Sequence, residues 1–165
     1  MPKTKRSGKQ LVSTAGTGFG TSKSSQKESS GFSELMERLR GSKISKPKLR
    51  EEVFNTLYDG ATDAPEEGKW YFFEYDPKFR DQLKQWDQFP LIRLLEIKGK
   101  VILGANLHYL NVNARLGAIN KDSVPTSTLH YYIPKRADNI FFEVPDNDVE
   151  ILSQLPVEKF HRNRN

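Results

Sequence analysis

The sequence predicts a mainly β domain of α+β class: a small SH3-like antiparallel barrel with short peripheral helices and a disordered, basic N-terminal arm. Three observations predict it. Two apolar runs, Phe89 to Ile97 and Val101 to Leu110, flank the tight turn Lys98-Gly99-Lys100 and read as a hairpin. A run of aromatics from Trp70 to Tyr75 is cut short by Asp76-Pro77, as a strand would be. Residues 1–31 are dominated by Lys, Ser, Thr and Gly with Phe19 as their one aromatic, a composition that cannot bury enough apolar area to offset ordering entropy. An OB-like barrel or an open α+β sheet fits the same pattern.

The elements follow in order. Phe32, Leu35, Met36 and Leu39 recur at helical spacing and form one face of a short helix that Gly41 closes. Pro47 suits the first turn of a second helix, with Leu49, Val53 and Leu57 on one face and an end at Asp59-Gly60. Both helices are short enough to need a surface to dock on. Residues 61–68 read as a linker. The chain thus divides into a basic arm (1–31), a helical arm and linker (32–68) and a small barrel (69–165). Within the barrel, Asn111 caps a short helix bearing Val112, Leu116 and Ile119. Thr128 to Ile133 and Asn139 to Val144 flank a Pro-Lys-Arg-Ala-Asp turn and read as a second hairpin. Asn147 with Glu150 resembles a capping pair for a helix carrying Ile151 and Leu155, which Pro156 stops.

Charge is divided along the chain. The net charge of +5 over 165 residues combines a strongly basic first 50 residues with a mildly acidic remainder. Such a tail meets an anionic partner, nucleic acid or acidic protein, or simply keeps the protein soluble. Lys3, Lys5, Arg6 and Lys9 are its leading contact candidates. The chain has no cysteine, which excludes disulfides, thiolate metal sites and a cysteine nucleophile and suits a reducing, intracellular setting. No run reaches the roughly 18 apolar residues of a membrane span, and no apolar stretch follows the basic start as a secretory signal would require.

Catalytic patterns are missing. His108 and His130 sit in echoing Leu-His-Tyr contexts that strand pairing could bring together, yet no HExxH, HxH or i,i+4 histidine pair occurs. A structural histidine bonded to the backbone is the preferred reading, and His161 falls in a polar, exposed tail. Asn106 shares a strand face with His108, and such a pair can brace a neighbouring loop. Gly104 in mid-strand marks a bulge or a close backbone approach rather than a phosphate loop. Asp76, Asp87 and His108 would be the residues of a metal-dependent nuclease, the least favoured reading. No cofactor, metal or small-molecule substrate is expected, and the protein reads as non-enzymatic. The aromatics Trp70, Tyr71, Phe72, Phe73, Tyr75, Phe79, Trp86 and Phe89 would stack single-stranded bases if exposed. Few basic residues lie between them, which favours core filling and protein contacts. Phe32, Leu35, Met36, Leu39, Trp70 and Trp86 are therefore further partner-binding candidates.

Three segments carry a resemblance: Tyr71-Phe72-Phe73-Glu74-Tyr75-Asp76-Pro77-Lys78, Trp86-Asp87-Gln88-Phe89-Pro90-Leu91-Ile92, and Gly104-Ala105-Asn106-Leu107-His108-Tyr109-Leu110. With Asp148-Val149-Glu150-Ile151 and Leu155 to Phe160, they resemble a small virion protein family of large contractile-tailed bacteriophages. The pattern of that family is YxFxYDPK, YYDxFPLV and GxNLHYL. Members are labelled structural protein or DNA end protector. The resemblance implies a non-enzymatic virion component of the tail, neck or baseplate, assembled in the host cytoplasm with other phage structural proteins. Its Asn106, His108 and Tyr109 would be structural. The alternative is a nucleic-acid-binding protein, such as a DNA end protector, that uses the basic arm. Asn111-Val112-Asn113 departs from the prolines usual after the third motif, and the arm is longer than the family's.

Overall fold

In the computed structural model, which describes residues 31–121 and 123–164, two helices lead into a six-stranded antiparallel sheet. α1 (Gly31–Leu39) and α2 (Lys46–Thr56) form where the apolar spacing predicts them, and Ser45 caps α2 by accepting from Lys48 N. The strands are β1 (Ala61–Thr62), β2 (Trp70–Phe73), β4 (Leu91–Lys98), β5 (Val101–Asn106), β6 (Leu129–Tyr132) and β7 (Phe141–Val144), in the order β1-β7-β2-β4-β5-β6. β3 (Gln85–Asp87) and β8 (Phe160–Arg162) make a separate two-stranded ribbon. α3 (Val112–Asn120) and α4 (Asp146–Gln154) complete the fold. No helix among the described residues is long and apolar enough to cross a membrane.

β2 shows why the sequence carried an unbroken aromatic run. Its side chains alternate between two cores, so both faces need bulk. Trp70 and Phe72 join Leu49, Val53, Leu91, Leu107, Val149 and Leu152 under the helices. Tyr71, Phe73 and Tyr75 join Ile92, Leu94, Ile102, Tyr132 and Phe141 on the other face. Burying one such side chain is worth about 1.5–3 kcal/mol, and these two layers are the main cohesive element. Phe32 and Leu35 of α1 are wholly buried in the first layer, which ties the helical segment to the sheet.

The sheet is open, which corrects the expected barrel. Beyond β2 and β6 the backbones pair through one isolated β-bridge, Pro77 to Pro134, with Lys78 N donating to Ile133 O at 2.9 Å and Lys135 N to Asp76 O at 2.9 Å. Two prolines at the junction remove the N–H donors that a continuing ladder would need. The sheet therefore curls without closing.

The first hairpin forms as expected, with Gly99 at φ +59° in its turn. Gly104 stands opposite a bulge, whose extra residue lies in β4, and is closely approached by a side chain. The pairing slips between Leu94 and Glu96, opposite Gly104 and Leu103, and a Cβ on Gly104 would come within 2.7 Å of Ile92 Cδ1. The second hairpin does not form. β6 pairs with β5 and β7 with β2 and β1, so the Pro-Lys-Arg-Ala-Asp segment is a crossover and not a turn. It lacks the Gly or Asn that a tight primed turn demands.

Three local expectations also change. The Val101–Leu110 strand ends at Asn106, whose Oδ1 accepts from His108 N at 2.9 Å and starts a 3₁₀ turn over Leu107–Tyr109. Asn111 does cap α3, accepting from Ala114 N at 2.9 Å, but the buried face is Arg115 and Ala118 and leaves Val112 exposed. α4 starts after Pro145 without a side-chain cap, so the Asn147–Glu150 pair is not formed, and Asp146 and Asp148 supply the favourable charge in its first turn.

Candidate functional site

The strongest polar constellation is a buried knot around Asp87, at the end of β3. Its Oδ2 receives His108 Nδ1 at 2.6 Å and Asn106 Nδ2 at 3.3 Å. Its Oδ1 receives Phe89 N at 3.1 Å and Lys159 N at 3.0 Å. A carboxylate only accepts, so His108 carries a proton on Nδ1, and four donors fill the two oxygens. The Asp87 and His108 side chains are both wholly enclosed. Burial works to raise the Asp87 pKa, but the His108 hydrogen bond and charge, with the Lys159 and Phe89 N–H groups, outweigh it and hold the carboxyl below its ordinary value.

Two arginines extend the knot. Arg50 of α2 donates from Nε to Val157 O at 2.6 Å and from Nη2 to Glu158 O at 3.1 Å, with its guanidinium over the Phe89 ring. Arg115 of α3 donates to Leu110 O at 3.0 Å, to Ser153 O at 2.7 Å and to His108 O at 3.4 Å. The planar fork of each guanidinium suits it to bind several carbonyls at once. Together with Asp87 they fasten residues 153–159 across the first core layer. Tyr109 stacks on His130 with ring centroids 3.8 Å apart, and burial, with the nearby Asp87 charge, pushes its phenol up to about 12.

The structure brings Asn106 and His108 together with Asp87 and leaves the other candidates apart. His130 lies against Tyr109, not His108. Asp76 pairs at the surface with Arg80 and Lys135. His161 is not a tail residue: it sits in β8, half-buried, stacks on Trp86 at 5.0 Å and bonds Gln88 Oε1 at 2.8 Å. Among the described residues no group of three or more His, Asp or Glu side chains could hold a metal ion. A saturated, enclosed carboxylate has no lone pair for a metal and no path for a substrate; the knot braces the fold.

The partner-binding candidates scatter. Phe32, Leu35 and Trp70 are buried, and Trp86 is half-buried in the ribbon. Met36 and Leu39 border a groove of about 340 Å³ with Ile44, Leu49, Leu155 and Pro156. Lys3, Lys5, Arg6 and Lys9 lie outside the described residues. The aromatics of β2 face the two cores, so they form no base-stacking platform. Sequence reasoning missed Arg50 and Arg115. The only trace of the second is its helical phase, three residues before buried Ala118.

Residues 45–122 match a family model described as Phage T4 terminal DNA protecting protein. The matched stretch is a little under half of the chain and contains Arg50, Asp87, Asn106, His108 and Arg115, which make up most of the knot. The match supports a phage DNA end protector family, one of the two labels the sequence motifs implied. Comparison with curated proteins and with solved structures finds no match.

Proposed function

We propose that this protein is a phage DNA end protector: it binds the ends of linear duplex DNA and shields them, without catalysing a reaction. The single observation behind this reading is the family match over residues 45–122, which contains Asp87 and its partners Asn106 and His108. Tail or baseplate docking, the first expectation from the sequence, has no counterpart in that match.

The physical division of labour is simple. The folded part is rigid where the knot and the two apolar layers hold it, and its charges balance over residues 31–165. The basic arm supplies sequence-independent attraction to phosphates, with affinity that falls as salt rises. Carriage in the virion follows if the protein stays on the DNA end. Asp87 supports a non-enzymatic role, since both of its carboxylate oxygens are spent on His108, Asn106 and the backbone.

Exonuclease digestion of linear duplex DNA in the presence of the full chain tests the reading. Digestion should slow at protein concentrations that occupy the ends. Replacing Lys3, Lys5, Arg6 and Lys9 by alanine should weaken binding and flatten its salt dependence by up to about 4 in slope. Unchanged digestion of fully bound DNA would overturn the proposal.

A further inference from the structure

On the sheet face away from the helices, the open end of the curl forms a groove of about 460 Å³. Its apolar lining includes Ile97, Ile133, Pro134 and Phe141. Lys78, Lys100, Lys135 and Arg136 stand around it, against Asp63 as the one carboxylate of the lining. All four cations are exposed. Lys100 and Arg136 form no ion pair among the described residues, and Lys135 reaches Asp76 only at 4.0 Å. Residues 51–165 are acidic overall, and Glu74, Asp76 and Asp138 line the adjoining pocket with Lys135 and Arg136, so the excess of cations is local to this groove.

We infer that the groove holds the terminal nucleotide of a DNA end, with the base against the apolar lining and phosphates among the four cations. The inference rests on the end-protection reading and assigns it a place in the fold. A volume of this order is what a small organic ligand occupies. An interior nucleotide is stacked on both faces and offers its groove edges and backbone alone. A terminal nucleotide presents one unstacked apolar face beside a charged backbone, and apolar lining with a cationic rim complements that pair of features. Closed duplex DNA would engage the basic arm and not the groove.

The test compares two duplexes of the same sequence, one linear and blunt, the other closed at both ends by hairpin loops, by fluorescence anisotropy with the full chain. The unaltered protein should prefer the linear duplex. The triple variant Lys100→Ala/Lys135→Ala/Arg136→Ala should lose that preference while its affinity for the closed duplex stays within about threefold, and the salt slope for the linear duplex should fall by about 3. These side chains are exposed, so thermal melting should not change. Lys100→Arg/Lys135→Arg should keep the preference. A triple variant that still prefers linear DNA overturns the groove assignment and leaves end protection standing. The same variant failing only to enter particles reassigns the groove to an acidic protein partner. An unaltered chain without preference for linear DNA overturns end protection and the groove together.

Discussion

Asp87 Oδ2 and His108 Nδ1 meet at 2.6 Å with neither side chain exposed, although the two residues are 21 positions apart. This contact joins the β3–β8 ribbon to the turn that ends β5, and Asp87 Oδ1 extends it to the C-terminal segment by accepting from Lys159 N.

Asp87→Asn should destabilise the protein by about 1–3 kcal/mol for each buried donor left without an acceptor, because one carboxylate oxygen becomes an NH2 group. The pH dependence has a definite sign. The folded-state pKa of Asp87 is depressed, so its contribution is present above the unfolded value near about pH 4 and is lost as pH falls through the folded value. Urea denaturation between about pH 2 and 5 should therefore show a flatter acid limb in the variant. An unchanged limb would mean that other carboxylates govern acid unfolding.

Arg50→Lys should loosen the C-terminal segment selectively. A lysine ammonium cannot hold Val157 O and Glu158 O together in the geometry of the guanidinium fork, and an unsatisfied buried carbonyl costs about 1–3 kcal/mol. Hydrogen exchange should quicken at the amides of β8 and Lys159 more than at those of β2. Uniform quickening would point to global destabilisation instead.

Two glycine substitutions should act in opposite directions. Gly104→Ala drives a Cβ to 2.7 Å from Ile92 Cδ1 and 3.0 Å from Ile92 Cβ, an overpacking that costs about 1–3 kcal/mol. Ile92→Val removes Cδ1 and should recover part of that loss in a double-mutant cycle. Gly117, inside α3 with open space where a Cβ would lie, should give about 0.5–1 kcal/mol of added stability when replaced by alanine. Guanidinium denaturation of the single variants checks both signs.

Much of the local structure was legible because it depends on nearby residues. The apolar spacing of Leu49, Val53 and Leu57, the Pro47 and Asn111 helix starts and the Gly99 turn all act within a few positions, and each of these starts and turns stands where those signals place it. The partnership of β6 and β7 was misread because adjacency in sequence stood in for adjacency in the sheet. His161 was misread as exposed because nothing near it announces that Trp86 lies opposite.

The amino-acid order by itself determined the charge division of the chain, the absence of thiol chemistry, the two short helices, the first hairpin and the requirement for bulk on both faces of the Trp70–Tyr75 run. Only the tertiary structure decided that the sheet stays open, that Asp87 gathers His108, Asn106 and Lys159, and that Lys78, Lys100, Lys135 and Arg136 surround one groove. The reason is the range of the forces involved. Helix, turn and cap preferences are set by steric and hydrogen-bonding terms among neighbours, whereas a buried carboxylate or a cluster of cations is defined by groups that chain folding carries together from distant positions.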